Sequence, residues 1–145
     1  MRHRMAAAVL ALCGLLVSTY LLLYKLGVIG SMVCGAANPC ERVQASRYSM
    51  LLGVPVAAYG VGGYVVLLAL ALAGLQASQA SRPAITRWLA GLSALGVAFS
   101  LYLLYLELFV IHAVCRWCSV SGVLILAICA VSLGGLVALS RAPAP

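Results

Sequence analysis

Charge is what this chain has least of. Only 8% of its 145 residues are charged, and Asp and Glu together number 2. A soluble domain carries about 25% charged residues, which cover its surface. This chain has too few for that, and with 66% hydrophobic residues it has to be solvated mainly by lipid. Its mean hydropathy of +1.16 agrees. The net charge of +7 reads as the loop charge of a membrane protein, because no basic stripe is present and nucleic acid is not an expected partner. Further absences narrow the field. No phosphate-binding pattern occurs: Gly60, Gly62 and Gly63 follow no strand and are expected to be close-packing positions on a helix. A heme attachment site needs His after the second cysteine of its motif, and Ser119 stands there after Cys118. A lipoprotein-type leader needs a small residue before its cysteine, and Leu12 precedes Cys13. After the basic Arg2-His3-Arg4 the apolar stretch runs to Tyr24. A signal peptide core has only about 7–15 residues, so an uncleaved first helix is expected.

What the chain has instead is four long apolar runs, roughly Met5–Tyr24, Val54–Leu75, Trp88–Ala113 and Ser119–Leu139. About 20 residues cross a bilayer. Every backbone donor and acceptor in hydrocarbon has to be paired internally, and a helix does this within one segment. The expected fold is therefore all-α: a polytopic bundle of four transmembrane helices, one membrane domain over residues 1–145. The first connection is long, Lys25–Gly53, and is expected to hold a mobile loop and a short half-helix. The second, Gln76–Arg87, is short and polar. The third is a few residues around Cys115–Cys118, so the last two helices form a tight hairpin. Arg2, Arg4, Arg82, Arg87 and Arg141 fall on one side of this layout, and Lys25, Arg42, Arg47 and Arg116 on the other. The first set is denser, in short tails and a short loop, which places both termini in the cytoplasm. Trp88 and Trp117 suit the opposite interfaces.

There are 6 cysteines. Cys13 and Cys129 lie within apolar runs and are expected to pack as small inert hydrophobes. The other four fall on one face of the membrane. Cys34 and Cys40 flank a loop of turn-forming residues, Gly35 to Pro39, and Cys115-Arg116-Trp117-Cys118 opens the last apolar run. The second spacing puts two thiols about one helical turn apart. The helix N-terminus and Arg116 are both expected to favour thiolate there. Two such pairs on one face can pass electrons in relay, which points to a membrane thiol–disulfide oxidoreductase on the oxidising, extracytoplasmic side. The residues leave other readings open: a structural disulfide in the loop, a zinc site of four thiolates, or a non-enzymatic scaffold.

The segments Cys40-Glu-Arg-Val-Gln-Ala-Ser46-Arg47-Tyr48, Leu52-Gly53-Val54-Pro55 and Glu107-Leu-Phe-Val-Ile-His112-Ala-Val-Cys115-Arg-Trp-Cys118 resemble the vitamin K epoxide reductase family, and its bacterial branch most. The wider cysteine pair comes first here, whereas DsbB-type enzymes place their Cys-x-x-Cys first. The resemblance implies a four-helix bundle holding a quinone, of ubiquinone or menaquinone (vitamin K) type, near Cys118. It implies that Cys34 exchanges with a soluble thioredoxin-fold, DsbA-like protein, that Cys40 then attacks Cys115, and that Cys118 passes electrons to the quinone. Many bacterial relatives carry a fused thioredoxin-like domain; here the partner is expected to be a separate protein. Ser46 matches a family serine beside the loop, with capping of the following short helix as its plain alternative.

Two departures stand out. Animal enzymes place a quinone-contacting tyrosine where Gly122 stands, and an asparagine where Ser49 stands. These favour quinone reduction over epoxide reduction; the alternative keeps vitamin K quinone or epoxide as substrate, with another thiol donor. Glu107, an acid within an apolar run, is expected to handle protons or touch the quinone. His112, three residues before Cys115, is a second proton-transfer candidate. Trp117 is expected to anchor at the interface or to wall the quinone pocket.

Overall fold

The computed structural model describes residues 2–76 and 82–143. Its helices are α1 (Arg2–Lys25), the short α2 (Pro39–Ala45), α3 (Val56–Ala73), α4 (Pro83–Leu106) and α5 (Arg116–Arg141). A π-helical turn, Glu107–Ile111, prolongs α4. All four long helices are apolar enough to cross a bilayer, and the third measures 29 residues with its extension. The chain is thus a multi-pass, all-α membrane protein, and α2 is the half-helix expected between the first two spans. A 3-10 turn at Arg47–Ser49 follows α2. A two-residue hairpin pairs Met50 with Pro55 and Leu51 with Val54. Leu52 and Gly53, at φ of 53° and 78°, make its turn, the left-handed pair that a two-residue hairpin favours.

Helix ends differ from the apolar runs for local reasons. α4 starts at Pro83 rather than Trp88, because proline fits the first helical turn, where its missing N–H is not needed. Of the expected polar connection, residues 77–81 lie outside those described; from Pro83 onward the segment is helical. At its other end the third run was expected to stay helical to Ala113. Instead the backbone widens after Leu106, and His112 stops it in the left-handed conformation at φ 57°. The N–H groups of His112 and Ala113 both return to the Glu107 carbonyl, closing the helix end much as a Schellman motif does.

Two buried clusters hold the bundle. One joins Ala7, Ala8 and Ala11 of α1 to Tyr64, Leu67 and Ala71 of α3, Leu89 of α4, and Ile125 and Ile128 of α5. Small residues let α1 and α3 approach closely. A Cβ at Gly14 would strike the Tyr64 ring, and one at Gly60 would stand 2.9 Å from Ser18 Oγ. Gly60 is thus a close-packing glycine, as expected, but Gly62 and Gly63 are not: a Cβ there meets nothing within 4 Å. The second cluster gathers Leu21, Met32, Cys34, Cys40, Val43, Ala113 and Cys115.

Two further expectations are corrected. Arg4 is not a loop charge. It is 2% exposed, and its guanidinium donates to the carbonyls of Gly74 (2.7 Å) and Arg82 (3.0 Å) and to Thr86 Oγ1 (3.0 Å). The Gly74 carbonyl where α3 ends, with Arg82 O and Thr86 Oγ1 where α4 begins, draws the cation inward. Cys13 does not pack within the bundle as Cys129 does; it lies on the exposed face of α1, where lipid solvates a small apolar thiol.

A cysteine centre beside an apolar cavity

The loop after α1 doubles back because Gly35, Ala37 and Asn38 all take positive φ, at 88°, 65° and 41°. Pro39 then starts α2, which puts Cys40 in its first turn. Cys34 and Cys40 are joined in a disulfide, with their Cα atoms 6.0 Å apart. Both are buried, so the loop is folded down over its own sulfurs rather than extended to solvent.

On the other side of the same cluster, Cys115 occupies the N-cap of α5 and takes the role usually filled by a serine or aspartate oxygen. Its Sγ accepts the N–H of Cys118 at 3.3 Å. Cys115 and Cys118 are free thiols, Cys115 fully buried and Cys118 half-buried. The hydrogen bond from the Cys118 thiol, with backbone N–H groups of Cys118 and Trp117, holds the Cys115 thiol below the ordinary range. Burial and the nearby Glu107 charge oppose this and are outweighed. The expected bias toward thiolate therefore arises for Cys115 from Cys118 and the helix N-terminus, not from Arg116, whose side chain is exposed and passes over Gly35.

Glu107 is buried, and its Oε2 accepts the backbone N–H of Cys115 at 3.1 Å. The Cys118 thiol also lies within reach of that carboxylate. From α2, Gln44 brings its Nε2 to 4.0 Å from Cys118 Sγ. Lys25 fixes Gln44 in turn. Its Nζ donates to Gln44 O and to Ser49 Oγ, both at 2.6 Å. Ser49 Oγ lies 2.7 Å from Gln44 O and 2.8 Å from Ser46 O. Ser46 Oγ donates to Val43 O at 2.7 Å, so it closes the end of α2 and makes no cap on the 3-10 turn that follows.

Cys118, Glu107, Gln44, Ser46 and Ser49 cluster at one end of a cavity of about 620 Å³. The remainder is walled by α3, α4 and α5, including Gly62, Gly63, Phe99 and Gly122. Tyr64 braces α3 against α5 through its hydroxyl, 2.7 Å from Ser121 O and 3.0 Å from Ser121 Oγ. The volume lies in the range of small-molecule pockets, and the thiol, carboxylate and amide brought together beside walls that are mostly apolar, with Ser18, Ser100, Ser119 and Ser121 among them, suit a flat ring with polar substituents and an apolar tail.

Of the residues singled out in the sequence, Ser46, Ser49, Glu107, Gly122 and Cys118 line this cavity, with Cys115 directly behind Cys118. His112 and Trp117 do not. The left-handed turn at His112 leaves its side chain exposed. Trp117 points to the opposite side of α5, where its Nε1–H donates to Val33 O at 2.9 Å and its ring meets Tyr20 at 5.2 Å. Gln44 and Lys25 escaped the sequence reading. Gln44 had a signal: it stands four residues after Cys40, on the same face of the short helix.

Cys34 and Cys40 are bonded to each other, so the four sulfurs are not together available as thiolate ligands in this state. Among the described residues, no group of three or more His, Cys, Asp or Glu side chains is placed to hold a metal ion. What the arrangement offers is an oxidised pair packed against a reduced pair, and a reduced sulfur facing an apolar cavity. The model of the vitamin K epoxide reductase family matches residues 5–133 of the chain.

Proposed function

This chain belongs to the vitamin K epoxide reductase family of oxidoreductases, and from that premise we propose that it oxidises a soluble thioredoxin-fold, DsbA-like protein and delivers the electrons to a membrane quinone, supporting disulfide formation outside the cytoplasm. One observation carries the reading: the Cys34–Cys40 disulfide and the Cys115 thiol share one buried cluster, while Cys118 faces the cavity. This is the distribution expected just after electrons have passed from loop to motif.

The sulfur chemistry then runs in two exchanges. A dithiol partner reduces the loop disulfide through Cys34 and leaves with its own disulfide formed. The Cys40 thiolate attacks Cys115 of an oxidised motif, making a Cys40–Cys115 bond and releasing Cys118 as thiolate. The Cys34 thiolate attacks Cys40, re-forms the loop disulfide and releases Cys115. Two electrons have moved, and the motif holds them as two thiols. The N–H of Cys118 at the Cys115 sulfur stabilises this leaving thiolate.

The residues around the cavity fit a quinone, which would supply a two-electron, two-proton acceptor. Cys118, Gln44 and Glu107 surround the polar end, and the apolar walls suit an isoprenoid tail. Glu107 is the acid closest to the reacting sulfur, and its role is to hold or move a proton at Oε2 while keeping Cys115 in place. Where animal enzymes have a tyrosine and an asparagine, this chain has Gly122 and Ser49, and those two departures support quinone over epoxide as substrate; the amide and phenols that line the cavity come from other positions, Gln44, Tyr48, Tyr59 and Tyr64.

The topology belongs to the same proposal: both termini in the cytoplasm of a cell whose inner membrane the bundle spans, and both cysteine pairs outside. Arg2, Arg82, Arg87 and Arg141 at one end support it, as does the need of a disulfide for an oxidising compartment. The test is anaerobic assay of the purified protein with ubiquinone or menaquinone analogues and a reduced thioredoxin-fold protein. Quinol should form one-for-one with partner disulfide, and Cys118→Ser should abolish it. A folded protein that turns over neither quinone would be a scaffold or act on a different acceptor, and the proposal would fall.

A further inference from the structure

We propose that Tyr20 and Trp117 are positioning residues that clamp the backbone of Val33 and so seat the Cys34–Cys40 disulfide against Cys115. This rests on the relay between the two pairs proposed above.

Val33 is the residue before Cys34, and both of its backbone polar groups are taken by side chains. Its N–H donates to Tyr20 Oη at 3.3 Å, and its C=O accepts from Trp117 Nε1 at 2.9 Å. The two gripping rings meet each other, with centroids 5.2 Å apart and planes at 58°. The Val33 side chain is 79% exposed, whereas Cys34 next to it is 3% exposed. Burial of Val33 therefore does not hold the loop at this point; its backbone does. On the other flank of Cys34, Arg116 Nη2 passes over Gly35, 3.7 Å from where a Cβ would stand. The two residues between the motif cysteines thus straddle Cys34, one on each side.

This arrangement ties the loop's seat to the motif itself. Trp117 lies between Cys115 and Cys118 in the first turn of α5, so a change of backbone there on forming or breaking a motif disulfide moves the donor that holds Val33. With the clamp closed, Cys34 is covered and the loop sulfurs face Cys115. With it open, Cys34 is offered to a partner. Neither ring touches a reacting atom; both act through Val33.

Trp117→Phe and Tyr20→Phe each remove one polar group and keep a ring. Both would be measured in purified protein for two quantities. The first is the rate at which a water-soluble phosphine reduces the loop disulfide. Each variant is expected to raise it about fivefold, the weight of one ordinary hydrogen bond. The second is the yield of the Cys40–Cys115 bond that an added disulfide oxidant forms in a Cys34→Ser, Cys118→Ser background, which is expected to fall by a similar factor. Melting temperature serves as control, since a general loosening would lower it. If Trp117→Phe fails to fold, Tyr20→Phe gives the answer alone, because it keeps both rings. Unchanged phosphine rates, or faster reduction with full trapping, would overturn the positioning role. If the background traps no bond even with Tyr20 and Trp117 intact, the relay itself fails; if it traps one that neither variant disturbs, only the clamp fails.

Discussion

The Glu107 carboxylate accepts the backbone N–H of Cys115 at 3.1 Å, across the π-helical turn that separates them. Without the widened turn and the left-handed stop at His112, a helix would carry Cys115 past Glu107 rather than back to it. The acid therefore has two separable duties. It pairs a buried N–H at the helix start, and it offers an oxygen beside the two thiols.

These duties can be split by substitution. Glu107→Leu leaves the Cys115 N–H buried without a partner and should destabilise the fold by about 1–3 kcal/mol. Glu107→Gln keeps an acceptor oxygen and should stay within about 1 kcal/mol of the parent. Its quinone reduction should nonetheless fall roughly a hundredfold or more if the carboxylate moves a proton. Thermal melting in detergent alongside anaerobic turnover would check both. A fully active Glu107→Gln would leave the residue a purely structural cap.

The second expectation concerns pH. Hydrogen bonds from the Cys118 thiol and backbone hold Cys115 below the ordinary thiol range. A lowered pKa means more thiolate at a given pH, so Cys115 exchange should persist on acidification until pH falls through that depressed value. Cys118→Ala removes the main donor and should move the Cys115 titration to higher pH. Cys118→Ser keeps a hydroxyl donor and should move it less. Ultraviolet thiolate absorbance against pH, with the loop disulfide intact and Cys13 and Cys129 replaced by alanine, would read this directly. Equal midpoints in the two variants would remove Cys118 as the cause.

The four spans, the half-helix and the two cysteine pairs were legible because each rests on local sequence: apolar run length, turn formers, close cysteine spacing. What stayed hidden depends on which way a face points once helices pack. Arg4 reads as a tail charge, and partners far along the chain, among them the carbonyls of Gly74 and Arg82 and Thr86 Oγ1, draw it inside. Trp117 reads as an interface anchor first and a pocket wall second until α5 is docked, and then its N–H faces Val33. The hold of Lys25 on Gln44 and Ser49 joins residues that sequence spacing cannot pair. For His112 the pattern carries no sign that a left-handed residue ends the π-helical turn and leaves its side chain exposed.

The helix cysteines should differ from each other. Cys13 is exposed on α1 and Cys129 is buried in α5. Cys13→Ala should change stability by less than about 0.5 kcal/mol, the usual range for a surface site. Cys129→Ala removes a packed sulfur and should cost about 1 kcal/mol. Both should keep most of their turnover. Loss of activity in either, with normal expression and melting, would give that thiol a part in the electron path.

Gly63 offers the clearest separation of stability from function. It lines the cavity, and a Cβ added there meets nothing within 4 Å. Glycine inside a helix costs about 1 kcal/mol relative to alanine, so a larger residue here should not destabilise α3 and should slightly favour it. Its side chain, however, would enter the space assigned to the quinone. Gly63→Leu should therefore melt at or above the parent temperature while raising KM for a long-tailed quinone about tenfold, with a smaller effect on a short-tailed analogue. Gly14→Ala makes the opposite control, because its Cβ would press into the Tyr64 ring where α1 meets α3. It should lower the melting temperature, and quinone KM should follow only as far as Tyr64 is displaced. If Gly63→Leu binds and reduces both quinones as the parent does, the acceptor lies elsewhere, and the cavity beside Cys118 is not its site.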